Sequence, residues 1–188
     1  MRSHIARPFI VILLAGFTLA APANATTLRV PADYPTIQSC IDAAVSGQDE
    51  CVVAPGAYNE LIDFLGKAIT LRSSHGPTVT TIDGTGLNNS VVTCISGETA
   101  ETVLNGFTIT GGTGTHVAPI NSNVGGGMYC NYSNPTVTNC TFYQNTAAYG
   151  GGGMYNRYSS PTVTDCTFNR NVTSGFGGGM VNSNESNP

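Results

Sequence analysis

The chain has 188 residues, 11 acidic against 7 basic side chains, and only 10% charged residues in all. A net charge of −4 without a basic cluster argues against nucleic acid or an anionic membrane surface as partner. The length suits one domain, and Gly, Thr and Asn outweigh the good helix formers, which excludes a helical-repeat protein.

Residues 1–25 read as a secretory signal peptide. Arg2 and Arg7 give a basic start, Phe9–Leu14 with Ala15–Ala20 an apolar run, and Ala23-Asn24-Ala25 a small-residue cleavage site. The run is too short and too weakly flanked for a membrane span, and no later stretch is long and apolar enough. Residues 26–188 are then the folded domain, and export makes disulfides possible among six cysteines.

Pro35-Thr36 opens a predicted helix in which Ile37, Ile41, Ala44 and Val45 share one face, ending at Gly47. Cys40 in this helix and Cys51 at the start of the following strand are the candidate disulfide. Ala68–Arg72, Val79–Ile82 and Ser90–Ile95 read as strands, with a turn at Asp83-Gly84 and Gly86.

From residue 125 the chain repeats itself every 26 residues. Met128 recurs as Met154 and Met180, each behind three or four glycines; Tyr129 and Tyr132 recur as Tyr155 and Tyr158. Pro135-Thr136-Val137-Thr138 recurs as Pro161-Thr162-Val163-Thr164, Cys140-Thr141-Phe142 as Cys166-Thr167-Phe168, and Asn145 as Asn171. A fixed period of this length marks a solenoid, each repeat one coil stacked on the next. Val137, Cys140 and Phe142 face inward, and their spacing of three then two places a corner at Thr138-Asn139. Asn tolerates the left-handed backbone of a tight corner. Asn145 and Asn171 mark a second corner, and the glycine runs a third with Met packing inward. Leu104, Phe107 and Ile109 repeat the spacing 33 residues upstream, so that coil carries about seven extra residues within Thr113–Asn123.

These features define an all-β fold, a right-handed parallel β-helix solenoid with a short N-terminal capping α-helix that shields the first coil. The third repeat starts at Gly177-Gly178-Gly179-Met180 and stops at Pro188 before its Pro-Thr-Val-Thr strand, so the domain is expected to be C-terminally truncated. Cys140 and Cys166 fall at the same place in successive coils, ~4.8 Å apart, and are expected to be buried thiols. The state of Cys94 and Cys130 is left open.

Val30-Pro31-Ala32-Asp33-Tyr34-Pro35-Thr36-Ile37-Gln38 through Val53-Ala54-Pro55-Gly56-Ala57-Tyr58 resembles the N-terminal cap and first strand of secreted parallel β-helix proteins of the pectin-lyase-like superfamily. The Gly-Gly-Met and Phe-x-x-Asn elements are similar to repeats of bacterial polymorphic outer-membrane proteins. The resemblance implies this fold and a secreted or bacterial cell-surface or outer-membrane location. That superfamily hosts lyases, hydrolases, esterases, adhesins and proteins of no known activity, so it implies no one reaction.

The residues show no catalytic constellation. After residue 101 the only acids are Asp165 and Glu185, whereas glycoside hydrolysis needs two carboxylates astride the scissile bond. No acidic cluster suits calcium, and His75 and His116 lack metal-ligand partners, so no metal and no cofactor is expected. Arg157 and Arg170 read as surface residues. The chain is expected to be a structural or adhesive module rather than an enzyme; the alternative is a fragment of a carbohydrate-active enzyme whose catalytic coils lie elsewhere. The candidate carbohydrate-binding residues are Tyr129, Tyr132, Tyr155 and Tyr158, aromatic pairs in register of which at least one faces outward. Expected partners are a polysaccharide or another cell-surface protein.

Overall fold

The computed structural model describes residues 25–118, 120–184 and 186–188; the segment read as a signal peptide lies outside them apart from Ala25. The chain winds as a right-handed parallel β-helix walled by three sheets. The first stacks Thr27–Val30, Glu50–Val53, Thr70–Ser73, Val103–Asn105, Thr136–Thr138 and Thr162–Thr164. The second stacks Gly56–Tyr58, Thr80–Asp83, Thr108–Thr110, Thr141–Tyr143 and Thr167–Asn169. The third stacks Ile62–Asp63, Val92–Cys94, Met128–Asn131, Met154–Arg157 and Met180–Ser183.

Every pairing between coils is parallel, and the repeat sets its register: Val137 lies against Val163, Phe142 against Phe168, Met128 against Met154. The upstream coil falls in line, with Leu104 against Val137 and Ile109 against Phe142. Alternation along each strand sends Leu71, Leu104 and Val137 inward from the first sheet, Ile82, Ile109 and Phe142 from the second, Met128 and Met154 from the third. The extra residues of the long coil form an antiparallel hairpin, Thr115–Val117 with Ser122–Val124.

The corner between the first two sheets is a single left-handed residue. Asn139 and Asp165 have φ of 51° and 52°, and Gly106 takes the same place in the coil above. Thr138 and Thr164 therefore do not belong to the corner; they end their strands and point outward. At the next corner the left-handed residues are Gln144 and Arg170, while Asn145 turns inward and is fully buried. Its amide nitrogen donates to the Ile109 carbonyl at 2.8 Å and to Asn171 Oδ1 at 3.1 Å, and its oxygen accepts from Gly112 N–H at 3.0 Å. One side chain thus satisfies two backbone groups of the coil above and bonds the Asn171 side chain of the coil below, where the ladder breaks.

The helix runs Ile37–Ala43, shorter than the sequence implied. Thr36 caps its start and the Glu60 carboxylate accepts from Ile37 and Gln38 N–H, both at 3.0 Å. Its end is closed by Lys67, whose Nζ donates to the carbonyls of Ile41, Asp42 and Ala44 at 2.7–3.0 Å. Ala44 leaves the helix with ψ 139°, which turns Val45 out to 51% exposure instead of onto the buried face. Ile37, Cys40 and Ile41 close the open end of the first coil, and Cys40 is joined to Cys51 with Cα atoms 6.1 Å apart.

Candidate functional site

The third sheet and the corner after it carry the four tyrosines. Met128, Tyr129, Cys130 and Asn131 alternate inward and outward, so Tyr129 and Tyr155 leave the main core on the outer side of the sheet. They do not reach solvent there. Val117 and Val124 of the hairpin, with Ile120 and Val181 beside them, enclose both rings in a second small core at 5% and 2% exposure. Burial pushes the Tyr129 phenol above its ordinary pKa, against the opposing pull of the nearby Arg157 charge. The pair that the sequence grouped with Tyr132 and Tyr158 is thus separated from it by the fold.

Tyr132 and Tyr158 sit at the corner between the third and first sheets, 62% and 40% exposed. Their φ values are 51° and 48°, a region that costs an L-residue with a bulky side chain ~1–2 kcal/mol. The rings stack with centroids 4.6 Å apart and planes 10° from parallel. The Arg157 guanidinium lies over the Tyr158 ring, 5.0 Å from its centroid.

The corner is held from beneath by a column that sequence reasoning missed. Ser133 N–H donates to Ser159 Oγ, and Ser159 N–H to Ser186 Oγ, each at 3.1 Å. Ser133 Oγ donates at 2.8 Å to the buried Glu98 carboxylate, which also accepts from Gly66 N–H at 2.8 Å and Ser96 N–H at 2.9 Å. The recurrence of Ser133 as Ser159 was the available signal; the third member arrives one residue late, at Ser186, and breaks the period. Each hydroxyl accepts the backbone N–H that the left-handed turn before it withdraws from the ladder. The aromatic pair therefore stands on a fixed base.

The remaining candidate groups are placed elsewhere. Cys94 and Cys130 are free, fully buried and in register on the third sheet, and burial pushes the Cys94 thiol well up. Cys140 is likewise buried with its thiol raised, whereas Cys166, half-buried, is brought down to about 7, chiefly by a hydrogen bond from Cys140. Arg170 lies over Tyr143 on another corner and donates to its hydroxyl at 3.2 Å. Among the described residues no group of three or more His, Cys, Asp or Glu side chains is gathered to hold a metal ion. No protein-family model matches the chain, and no curated protein or solved structure matches it either.

Proposed function

We propose that the chain is an exported or cell-surface β-helix module, structural and adhesive in role, that binds polysaccharide through the corner built on Tyr132 and Tyr158. The observation that carries this reading is the pair itself: two large aromatic side chains, exposed and in register, on left-handed backbone that Asn or Gly would occupy more cheaply. Local strain kept at an exposed aromatic position favours a binding role over a packing one, because a packing role would bury the ring. An aromatic face with a flanking guanidinium suits the C–H face and hydroxyls of a sugar. The likeness to secreted pectin-lyase-like β-helices and to outer-membrane repeats supports the same location and role.

The test is a glycan array probed with the wild type and with the Tyr132→Asn/Tyr158→Asn double variant, together with Tyr129→Phe as a control inside the second core. Asn suits the left-handed positions, so the double variant keeps its melting temperature while binding is lost. Glycan binding that survives the double change removes the aromatic corner from the reading. Absence of any bound glycan on the wild type ends it altogether. Export is checked by expressing the full chain: a mature N-terminus near residue 26 outside the cytoplasm is expected, and retention of residues 1–25 on a cytoplasmic product contradicts it.

A further inference from the structure

Cys140 and Cys166 lie in successive coils, bracketed by the pairs Thr138–Thr164 and Thr141–Thr167, so they occupy equivalent places in the stack. Both thiols are free; Cys140 is buried and Cys166 half-buried. The surroundings of the first sulfur recur at the second. Each thiol donates at 3.2 Å to the carbonyl two residues before it, that of Thr138 or Thr164. Each also lies against a carbonyl of the coil above, Leu104 at 3.8 Å from Cys140 Sγ and Val137 at 3.6 Å from Cys166 Sγ. Each accepts a backbone N–H from that coil, Phe107 onto Cys140 and Cys140 onto Cys166. The two side chains therefore share one orientation, and their sulfurs are offset along the stack by one strand spacing, ~4.8 Å.

We infer that Cys140 and Cys166 form a two-coordinate site for a soft monovalent metal ion of the copper(I) or silver(I) class. This goes beyond the glycan reading and does not depend on it. A disulfide would have to draw the sulfurs to ~2.0 Å and the Cβ atoms to ~3.8 Å, closer than parallel strands carry equivalent atoms. An ion between the sulfurs needs no such movement, because two bonds of ~2.3 Å, the zinc–thiolate length, span ~4.6 Å. Thiolate sulfur selects soft ions, and two sulfurs satisfy a monovalent one. Zinc takes four ligands, and among the described residues no third His, Cys, Asp or Glu joins the pair. On binding, two S–H bonds break, two sulfur–metal bonds form and two protons pass to solvent, with no change of oxidation state. The N–H groups of Phe107 and Cys140 remain as donors to the charged sulfurs. Cys166, half-buried, gives the ion its way in. Cys94 and Cys130 are also in register but fully buried, and offer none.

Silver nitrate, in chloride-free buffer, and copper(I) in acetonitrile, without oxygen, are titrated into the chain with its Cys40–Cys51 bond intact. Native mass spectrometry counts the ions, iodoacetamide labelling with peptide mapping reports the thiols, and X-ray absorption at the copper edge counts the sulfur neighbours. Expected are one ion per chain, two sulfur neighbours, and labelling of Cys166 that the metal suppresses. Cys166→Ser retains a donor to the Thr164 carbonyl and so the fold, but weakens binding about tenfold or more, whereas Cys94→Ala/Cys130→Ala changes it by less than about threefold. Zinc(II) does not displace the ion. The labelling map of the wild type carries the test even where a substituted chain folds poorly. The inference is overturned by no bound ion or several, by three or four neighbours, by displacement with zinc, or by labelling that the metal leaves unchanged. It is equally overturned by binding that survives Cys166→Ser, by an equal loss in the Cys94/Cys130 variant, or by a Cys140–Cys166 disulfide formed under mild oxidation with diamide. None of these outcomes bears on the glycan array, so the two readings fail separately.

Discussion

Phe142 and Phe168 stack with ring centroids 4.8 Å apart and planes 4° from parallel, the same geometry as the tyrosine pair but on the inside of the wall. The two ladders have opposite consequences. Phe142 is fully buried within the main core, so Phe142→Ala is expected to cost ~3–5 kcal/mol in thermal or chemical melting. Phe168 is only partly buried, and Phe168→Ala should cost clearly less. Equal melting shifts for the two would mean that the inward ladder is not what holds the coils together. The tyrosine pair contributes less to stability, because stacking worth ~0.5–1.5 kcal/mol is offset by the strained backbone beneath each ring. The inward set Val137, Cys140 and Phe142 was readable from spacing alone, since a strict alternation interrupted once must contain a turn. Which residue makes that turn was not: Thr138 and Asn139 are both polar, and only the backbone distinguishes a strand end from a left-handed corner.

The glycine runs are elements in their own right. Gly125, Gly126 and Gly127 donate to the carbonyls of Gly150, Gly151 and Gly152 at 3.0–3.1 Å, so the runs pair with each other coil to coil. A Cβ on Gly127 would stand 2.6 Å from the Gly153 carbonyl oxygen and 2.7 Å from Phe142 Cδ1. Gly127→Ala must push two coils apart, and a loss on the order of 1–3 kcal/mol is expected in denaturant titration. A neutral result would show that the coils are looser here than the ladder implies. The hairpin is the second such element. Its seven or so extra residues were visible as a lengthened period, but not that Val117 and Ile120 would fold back over Tyr129. That contact joins residues of different coils on the outside of the wall, where the repeat carries no information.

For the whole molecule the decisive feature is that each coil touches only its neighbours, so stability is set by interfaces and by what covers the first one. The helix, Lys67 and the Cys40–Cys51 bond form that cover together. Cys51→Ser, with its 11-residue separation from Cys40, is expected to lower stability by ~2–3 kcal/mol. Hydrogen exchange should quicken first in Thr27–Val30 and Glu50–Val53 and leave Met128–Asn131 protected. Uniform quickening along the chain would instead indicate one cooperative block rather than a stack.

The repeat by itself determined the solenoid, its register, the three-sided cross-section and the inward columns, because a parallel coil must place equivalent residues above one another and bury the apolar ones. It placed the four tyrosines in two columns and stopped there. Which column is exposed was decided by the tertiary structure, through a hairpin from one coil and a valine from another closing over Tyr129 and Tyr155. Periodicity fixes what lies above and below a residue; what covers it from outside depends on segments that break the period.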